Sequence, residues 1–405
     1  MKKNQSQKNI PKDWKISTLS DISDIIMGQS PESSSYNQNG EGVPFFQGKA
    51  DFTDSFKMKI HYWTSKPIKL SEPGDILLSV RAPVGDVALS DTNSCIGRGL
   101  ASIRAKKNVS DQQFLFQVLQ SLHETLNTKA QGSTFTAING PALRKIPILL
   151  PTSTEQKKIA EILSKVDEEI NKINELISKT EKIKNGLMNE LFTKGIDHKK
   201  FKKTKLGEIP EEWEIKTLAD IGENVIGLTY SPSEVVSEGM LVLRSSNIFE
   251  NKIIYKDNVF VNKKVPQHLI TKIGDILLCT RNGSRNLIGK NAYIDKNSAG
   301  YSFGAFMSVY RTEYNKFVFQ FFQSKFFKEQ VNKYLGATIN QITTKSLNSF
   351  ILPIPSIREQ SKIVEVLLSV DKKLEKQKEL KEKLIQLKKG LMSDLLRGKV
   401  RVQIK

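Results

Sequence analysis

The sequence predicts an α+β fold in which two similar mixed α/β domains alternate with two long helices. Three observations support this prediction. Two stretches have the heptad spacing of a coiled coil, the whole chain repeats once, and each repeat contains short apolar runs bounded by turn residues. A chain of 405 residues is also long enough for two or three domains, each with its own core.

The first long helix is predicted for residues 152–193. Its apolar residues recur in steps of four and three, which places them on one stripe that docks against a partner helix. The stripe comprises Ile159, Leu163, Val166, Ile170, Ile173 and Ile177. Thr152 and Glu155 have the spacing of a capping box, in which each side chain hydrogen-bonds to the backbone of the other residue. Ordinary helices rarely exceed about 25 residues, so the length favours a coiled coil over a surface helix.

The second long helix is predicted within residues 356–405, together with a C-terminal tail. It matches the first helix at a single offset of 204 residues, so that Glu155 corresponds to Glu359 and Gly186 to Gly390. Its stripe begins with Ile363, Leu367, Val370 and Leu374. We expect the stripe then to shift, through a stutter that changes the local supercoil. The shifted stripe comprises Leu380, Leu384, Leu387 and Leu391. Two such helices in one chain are each other's most available partners.

The composition limits the class of protein. A formal net charge of +19 and a pI near 9.6 favour nucleic acid or an anionic membrane as partner. There is no run of about 18 apolar residues and no apolar core of a signal peptide, so we expect a cytoplasmic protein that does not enter a membrane. Cys95 and Cys279 stand far apart, which supports neither a disulfide framework nor a zinc site.

Each globular region begins with the same Ile-Pro-x-x-Trp pattern, ending at Trp14 and at Trp213. We therefore place two globular domains at 1–151 and 194–355. The two tryptophans could stack on a base, but large aromatic residues more often anchor a core, and we favour that role.

Each domain then contains a buried strand that is followed by a polar loop. Gln47 and Lys49 occupy this loop in the first domain, and Arg244 and Asn247 occupy it in the second. Arg can form paired hydrogen bonds to guanine, and Gln or Asn to adenine, so these residues are candidates for base contacts. A solvated loop without such a role remains the alternative.

A Gly-Asp-Ile-Leu-Leu strand recurs in both domains and ends near Arg81 and Arg281. Either arginine could contact DNA or hold a turn together. The loops behind the strands differ, and Asn282, Arg285 and Asn286 lie in the Gly/Ser-rich loop of the second domain. Two domains with one framework and different loops suit two modules that recognise different targets.

Further contact candidates lie in glycine-flanked and hydroxyl-rich loops. Arg98 lies between two glycines that allow the backbone to approach a partner closely. A short amphipathic helix is predicted in each domain, at 111–126 and 316–335, and a polar loop suited to phosphate contact follows it. The candidates in these polar loops are Ser133, Thr134, Thr338 and Asn340.

No catalytic constellation is present in the sequence. It has no nucleotide-triphosphate loop, no Gly-x-Ser-x-Gly elbow and no Asn/Asp-Pro-Pro-Tyr/Phe tetrapeptide of amino-methyltransferases. The four histidines are dispersed without metal-ligand spacing. We therefore predict neither a catalytic residue nor a metal ligand.

The duplicated patterns together resemble the specificity subunit of type I restriction-modification systems. The carriers are the Ile-Pro-x-x-Trp starts, the Gly-Asp-Ile-Leu-Leu strands, the Pro-x-x-x-Glu-Gln helix entries and the Gly-Leu-Met helix ends, all in duplicate. The resemblance implies two target-recognition domains, 1–151 and 194–355, held apart by two spacer helices, 152–193 and 356–405, that pack as an antiparallel coiled coil. Each domain would read one half of a bipartite, asymmetric double-stranded DNA site.

The resemblance also implies the partners. Two methyltransferase subunits would dock on the helices, and restriction/translocase subunits would join through them. S-adenosylmethionine, ATP and Mg²⁺ would belong to those subunits, and the chain itself would be non-catalytic. Apolar residues off the main stripe are the candidate docking residues, namely Ile162, Leu176, Ile183, Leu368 and Ile385. Two alternatives remain: the recognition subunit of another restriction-methylation system, and a coiled-coil scaffold without a nucleic-acid role.

Overall fold

A computed structural model describes residues 10–131, 137–335 and 340–403. The chain forms two compact units. Unit 1 comprises the residues up to Leu176 together with those from Gln377 onward, and unit 2 comprises Ile177–Lys376. Each unit therefore contains one globular region and a segment of both long helices. None of the helices in the described ranges is long and apolar enough to cross a membrane.

Unit 1 contains two main sheets and a strand pair. An antiparallel sheet has the strand order Ser23–Met27, Leu100–Ala105, Ile76–Ser79 and Val87–Leu89. A mixed sheet has the order Tyr36–Asn37, Tyr62–Thr64, Val43–Phe46, Ser94–Ile96 and Leu70–Ser71. The pair joins Lys15–Thr18 to Pro147–Leu150. The short helices are Leu19–Ile22, Gln112–Ser121, His123–Gln131 and Gly140–Arg144.

Unit 2 repeats this architecture. Its antiparallel sheet has the order Glu223–Ile226, Met307–Arg311, Ile276–Cys279 and Asn291–Tyr293. Its mixed sheet has the order Val235–Val236, Phe260–Val261, Met240–Leu243 and Ser302–Phe303. Strand pairs join Glu214–Thr217 to Ile351–Ile354, Ile248–Phe249 to Lys252–Ile253, and Phe201–Thr204 to Gly207–Pro210. The short helices are Leu218–Ile221, Asn315–Gln323, Lys325–Tyr334 and Thr344–Asn348.

The Gly-Asp-Ile-Leu-Leu pattern encodes a buried strand and its anchor. Asp75 is 1% exposed and accepts hydrogen bonds from Nε of Arg104 at 2.7 Å, from the Ser102 hydroxyl at 2.7 Å and from the Glu72 amide at 2.9 Å. Burial alone would raise the pKa of Asp75, but these hydrogen bonds outweigh it and hold the pKa below its ordinary value. Asp275 binds Arg311 in the same way in unit 2. The repeated Asp therefore ties the turn before the strand to the neighbouring strand.

The predicted amphipathic helices are each divided in two. In unit 2 the break falls at Ser324, whose extended backbone ends one helix and whose side chain accepts the amide of Phe327 at 3.3 Å to begin the next. In unit 1 it falls at Leu122. Apolar spacing alone did not reveal the break, because an N-cap can interrupt a helix without interrupting the buried stripe.

The two tryptophans are core residues, as predicted. Trp14 is 6% and Trp213 1% exposed. Nε1 of each donates to the glutamate that begins a long helix, Glu155 in unit 1 and Glu359 in unit 2, at 2.9 Å. The capping-box prediction was therefore half correct. The amide of Glu155 does bind the Thr152 hydroxyl at 3.4 Å, but the carboxylate binds Trp14 and not the Thr152 backbone.

The two long helices are confirmed as Ser153–Thr193 and Ile357–Leu395. The predicted stutter in the second helix was wrong, because Leu380 is 48% and Leu387 52% exposed. The stripe instead continues in unbroken steps of three and four through buried polar residues, Gln377 and Lys388. Lysine can occupy a coiled-coil core position when its ammonium group finds a partner.

An ion pair joins the two helices in each unit. A second contact joins the start of one helix to the residues just beyond the end of the other, Glu155 to Arg401 in unit 1 and Glu359 to His198 in unit 2, so the helices run antiparallel there. In unit 1, Asp167 near the start of the first helix pairs with Lys388 near the end of the second, at 2.5 Å. In unit 2, Lys184 near the end of the first helix pairs with Asp371 near the start of the second, also at 2.5 Å. The coiled-coil prediction is thus confirmed within each unit.

Candidate nucleic-acid interface

In unit 1, three strand ends meet at one place and bring the predicted contact residues together. The amide of Gly97 donates to the carbonyl of Phe46 at 2.8 Å, and the amide of Val80 donates to the carbonyl of Gly99 at 2.9 Å. The loops that carry Gln47, Arg81 and Arg98 follow these positions directly, and we call this set of loops the first cluster.

The side chains of the first cluster are exposed. Gln47, Arg81 and Arg98 all have exposed side chains, while the glycines on both sides of Arg98 are buried. A Cβ on Gly99 would lie 2.2 Å from the carbonyl oxygen of Gln47, so only glycine fits there. Lys49 is also exposed, and its ammonium group pairs with Asp86 at 2.7 Å. The cluster thus presents two arginines and an amide on buried strands.

Unit 2 forms an equivalent arrangement, the second cluster. The amide of Gly304 donates to the carbonyl of Leu243 at 3.0 Å, and the amide of Arg281 donates to the carbonyl of Phe306 at 3.0 Å. The amide of Asn282 donates to the carbonyl of Asn340 at 3.2 Å. The structure therefore brings Arg281, Asn282 and Asn340 together.

Two predicted contact residues of the second cluster stabilise the loop instead. Asn247 is completely buried, and its side-chain amide donates to the carbonyls of Ile254 and Lys256 at 3.2 and 3.1 Å. It cannot reach a base, so its predicted role as a contact was wrong. Arg244 is half-buried and donates to the carbonyl of Asp257 at 3.1 Å, which leaves its guanidinium less available than the prediction assumed.

The amide side chains of Asn282 and Asn340 also serve the loop in part. Asn282 donates from Nδ2 to the Ser245 hydroxyl at 3.0 Å and accepts the Ser284 amide at 2.9 Å. Asn340 donates to the carbonyl of Gly283 at 3.0 Å. These hydrogen bonds hold two loops against each other, since each asparagine crosses from one loop to another.

Arg285 and Asn286 lie at the surface of the second cluster. Both are exposed at the start of a short 3-10 helix, Arg285–Leu287. Over the described ranges, no ion pair or hydrogen bond engages the Arg285 guanidinium. Ser133, Thr134 and Thr338 lie outside the described residues.

Sequence reasoning missed Phe306, which is 56% exposed beside Arg281. The guanidinium carbon of Arg281 lies 5.0 Å from the centroid of the Phe306 ring. Alignment of the two repeats could have drawn attention to it, because Phe306 occupies the position of Gly99 in the turn between equivalent strands. The sequence of this segment alone does not show whether an apolar residue at the end of a strand faces the core or the solvent.

The candidate docking residues on the long helices differ in exposure. Leu176 is 43%, Ile183 56% and Leu368 45% exposed. Ile162 and Ile385 are less exposed, since both are half-buried, and Ile162 packs against the core of unit 1.

No group of three or more potential metal ligands occurs within residues 10–131, 137–335 and 340–403.

Comparison with known proteins gives consistent matches over nearly the whole chain. A family model described as the type I restriction modification DNA specificity domain matches residues 11–185 and 210–385. The chain is 30% identical over 404 residues to the type I restriction enzyme MjaVIII specificity subunit of Methanocaldococcus jannaschii, covering 97% of this chain and 94% of that protein. It is 28% identical over 204 residues to the EcoKI specificity subunit of Escherichia coli K12, covering 48% of this chain and 44% of that protein.

Two solved structures have a similar fold. One is the type I restriction-modification S subunit from M. genitalium, with a TM-score of 0.57 and 20% identity, covering 100% of this chain and 99% of that one. The other comes from a study of complex assembly and conformational transition of the type I R-M system, with a TM-score of 0.59 and 17% identity, covering 97% and 100%.

Proposed function

The chain belongs to the family of type I restriction-modification DNA specificity proteins, and we propose that each of its domains reads one half of a bipartite, asymmetric DNA site. The recognition domains are residues 1–151 and 194–355, and the contact surfaces are the first and second clusters. One observation carries the proposal: equivalent strand ends in the two units bear different exposed side chains on the same buried framework.

The chemistry of the clusters supports direct base readout. Arginine forms paired hydrogen bonds to guanine and amides form them to adenine, and both clusters hold such groups in loops at the ends of hydrogen-bonded strands. The exposed candidates are Gln47, Lys49, Arg81, Arg98, Arg281, Arg285 and Asn286. The formal net charge of +19 adds attraction to phosphates, which is independent of sequence and weakens with salt.

Catalysis in this proposal belongs to partner subunits. Methyltransferase subunits dock on exposed apolar residues of the long helices, with Leu176, Ile183 and Leu368 the most accessible candidates. Restriction/translocase subunits join through them. S-adenosylmethionine, ATP and Mg²⁺ are required by those subunits, while this chain supplies the DNA sequence preference.

The test is a genome-wide map of N6-methyladenine in cells with and without the chain. One bipartite motif, with two unlike half-sites around a fixed gap, should be methylated only when the chain is present. Replacing residues 1–151 with the matching domain of another family member should change one half-site and leave the other unchanged. If the methyltransferase is inactive in the cell, no motif will be methylated, so the control measures DNA binding by the purified chain with its methyltransferase subunits at low salt. Equal binding to all duplexes in that assay would contradict the proposal.

A further inference from the structure

The turn that joins two equivalent strands presents different chemistry in the two units. In unit 1 the turn is Gly97-Arg98-Gly99, and Arg98 is exposed. In unit 2 it is Gly304-Ala305-Phe306, and Phe306 is exposed. The two turns are structurally equivalent. In each unit the strand before the turn pairs in parallel with another strand of the mixed sheet, so that Ile96 lies opposite Phe46 in unit 1 and Phe303 lies opposite Leu243 in unit 2.

The backbone of the turn that carries Phe306 is held by hydrogen bonds. The Phe306 carbonyl accepts the amides of Thr280 and Arg281 at 3.1 and 3.0 Å, and the amide of Met307 donates to the carbonyl of Gly304 at 2.8 Å. The amide of Ala305 is also bound, to the carbonyl of Leu228 at 2.9 Å. These hydrogen bonds fix the backbone of the turn and with it the direction of the Phe306 Cα–Cβ bond, and the residue is 56% exposed.

The neighbours of Phe306 belong to the second cluster. Arg281 stacks on the ring with its guanidinium carbon 5.0 Å from the centroid, and Asn282 and Asn340 hold the adjoining loops. A cation over one ring face attracts the ring and favours this orientation of the side chain. Single exposed apolar residues are common on proteins, but this one lies on a hydrogen-bonded turn and contacts the Arg281 guanidinium.

We propose that Phe306 reads a thymine in the half-site bound by unit 2, through apolar contact with the thymine C5-methyl group. The inference rests on the proposed DNA-recognition function and deepens it. Thymine is the base that presents a methyl group in the major groove, and phenylalanine is an apolar side chain that can cover it. Arg98, in the equivalent turn of unit 1, instead reads guanine with paired hydrogen bonds.

The experiment removes only the methyl group from DNA. The full chain with its methyltransferase subunits is bound to duplexes carrying the methylated motif, in which each thymine of either strand is replaced in turn by uracil. The half-site bound by unit 2 is the one that stays unchanged when residues 1–151 are exchanged. In the wild-type protein, one thymine-to-uracil replacement in that half-site should weaken binding about fourfold, the value for one buried methyl-sized group. In Phe306→Ala this effect should vanish, while Phe306→Leu should retain it.

A matched control is Phe249→Ala. Phe249 is 60% exposed in the same unit but lies on the hairpin whose Lys252 pairs with Glu375 of the second long helix. This variant should keep the uracil effect, and all variants should unfold at the wild-type temperature.

The inference is overturned if Phe306→Ala leaves every uracil effect unchanged, or if the half-site bound by unit 2 contains no thymine on either strand. These outcomes differ from a failure of the proposed function, in which no bipartite motif or selective binding is found with the wild-type chain.

Discussion

Lys388 on the second long helix donates from Nζ to Oδ1 of Asp167 on the first at 2.5 Å, and their side chains are 9% and 12% exposed. Gln117 donates to the other oxygen of Asp167 at 2.8 Å. Burial lowers the pKa of Lys388, and the carboxylate opposes this shift. The pair Lys184 and Asp371 repeats the arrangement in unit 2 at the same offset of 204 residues. A charged pair inside a coiled coil specifies register, because a slipped register leaves buried charges unpaired.

We predict that Lys388→Met destabilises unit 1 by about 3 kcal/mol, because Asp167 is left as a buried charge without its ion pair. The measurement is urea unfolding followed by circular dichroism. The matched control is Lys389→Met, at a residue whose side chain is 71% exposed and pairs with Glu124 at 3.4 Å. Such exposed pairs contribute roughly 0–1 kcal/mol. Equal effects of the two substitutions contradict the prediction.

A second prediction concerns Asn247, the buried loop residue for which we had predicted a base contact from the sequence. Asn247→Ala should lower the free energy of unfolding by about 2 kcal/mol, because the buried side chain loses three hydrogen bonds that it donates and one that it accepts from the Arg244 amide. Asn286→Ala, at an exposed residue in the same unit, should change it by less than about 0.5 kcal/mol. Thermal unfolding measures both. A change of base preference in Asn247→Ala at wild-type stability argues for a contact role after all.

The third prediction addresses base readout by unit 1. Arg98→Ala should weaken binding to the methylated motif by about 1–3 kcal/mol and relax the preference for one guanine. Arg281→Ala should affect only the other half-site. The measurement is selection from a randomised duplex library by the chain with its methyltransferase subunits. An unchanged base preference in Arg98→Ala, with only the salt dependence reduced, indicates a phosphate contact instead.

The fourth prediction addresses partner docking. Replacing both Leu176 and Ile183 with Lys should abolish co-purification with the methyltransferase subunit, because charges are placed where apolar contact is expected. Lys179→Ala, on the same helix at an exposed position, serves as control and should co-purify normally. Circular dichroism establishes whether the double variant is folded. Retained co-purification of the folded double variant rules out this docking surface.

The fifth prediction concerns a buried thiol. Burial raises the pKa of Cys279 from 9.0 to about 11, so at pH 8 only about one thiol in a thousand is ionised. In a Cys95→Ser variant, a thiol reagent at pH 8 should not label the folded protein but should label it fully in urea. Since the unfolded thiol ionises first, the contribution of this group to stability falls as pH rises from 9.0 towards 11. Rapid labelling of the folded variant contradicts the prediction.

Much of the architecture could be predicted because it is encoded in local spacing. The heptad steps from Ile159 to Ile177, and the repeat of Glu155 as Glu359, indicate two long helices and two similar units. A buried strand such as Ile276–Cys279 is apolar throughout, and so a sequence pattern can reveal it.

The sequence by itself thus determined the duplicated α+β organisation, the long helices and the buried strands, since these follow from periodicity along the chain. Only the tertiary structure decided which loop side chains are available. The side-chain amide of Asn247 donates to carbonyls seven and nine residues away. The Phe306 carbonyl accepts the amides of Thr280 and Arg281, which follow the strand Ile276–Cys279, while the residue itself is exposed. It also decided that Lys388 occupies the coiled-coil core, because its partner Asp167 lies 221 residues away. Exposure and pairing depend on groups distant in sequence, which no local pattern contains.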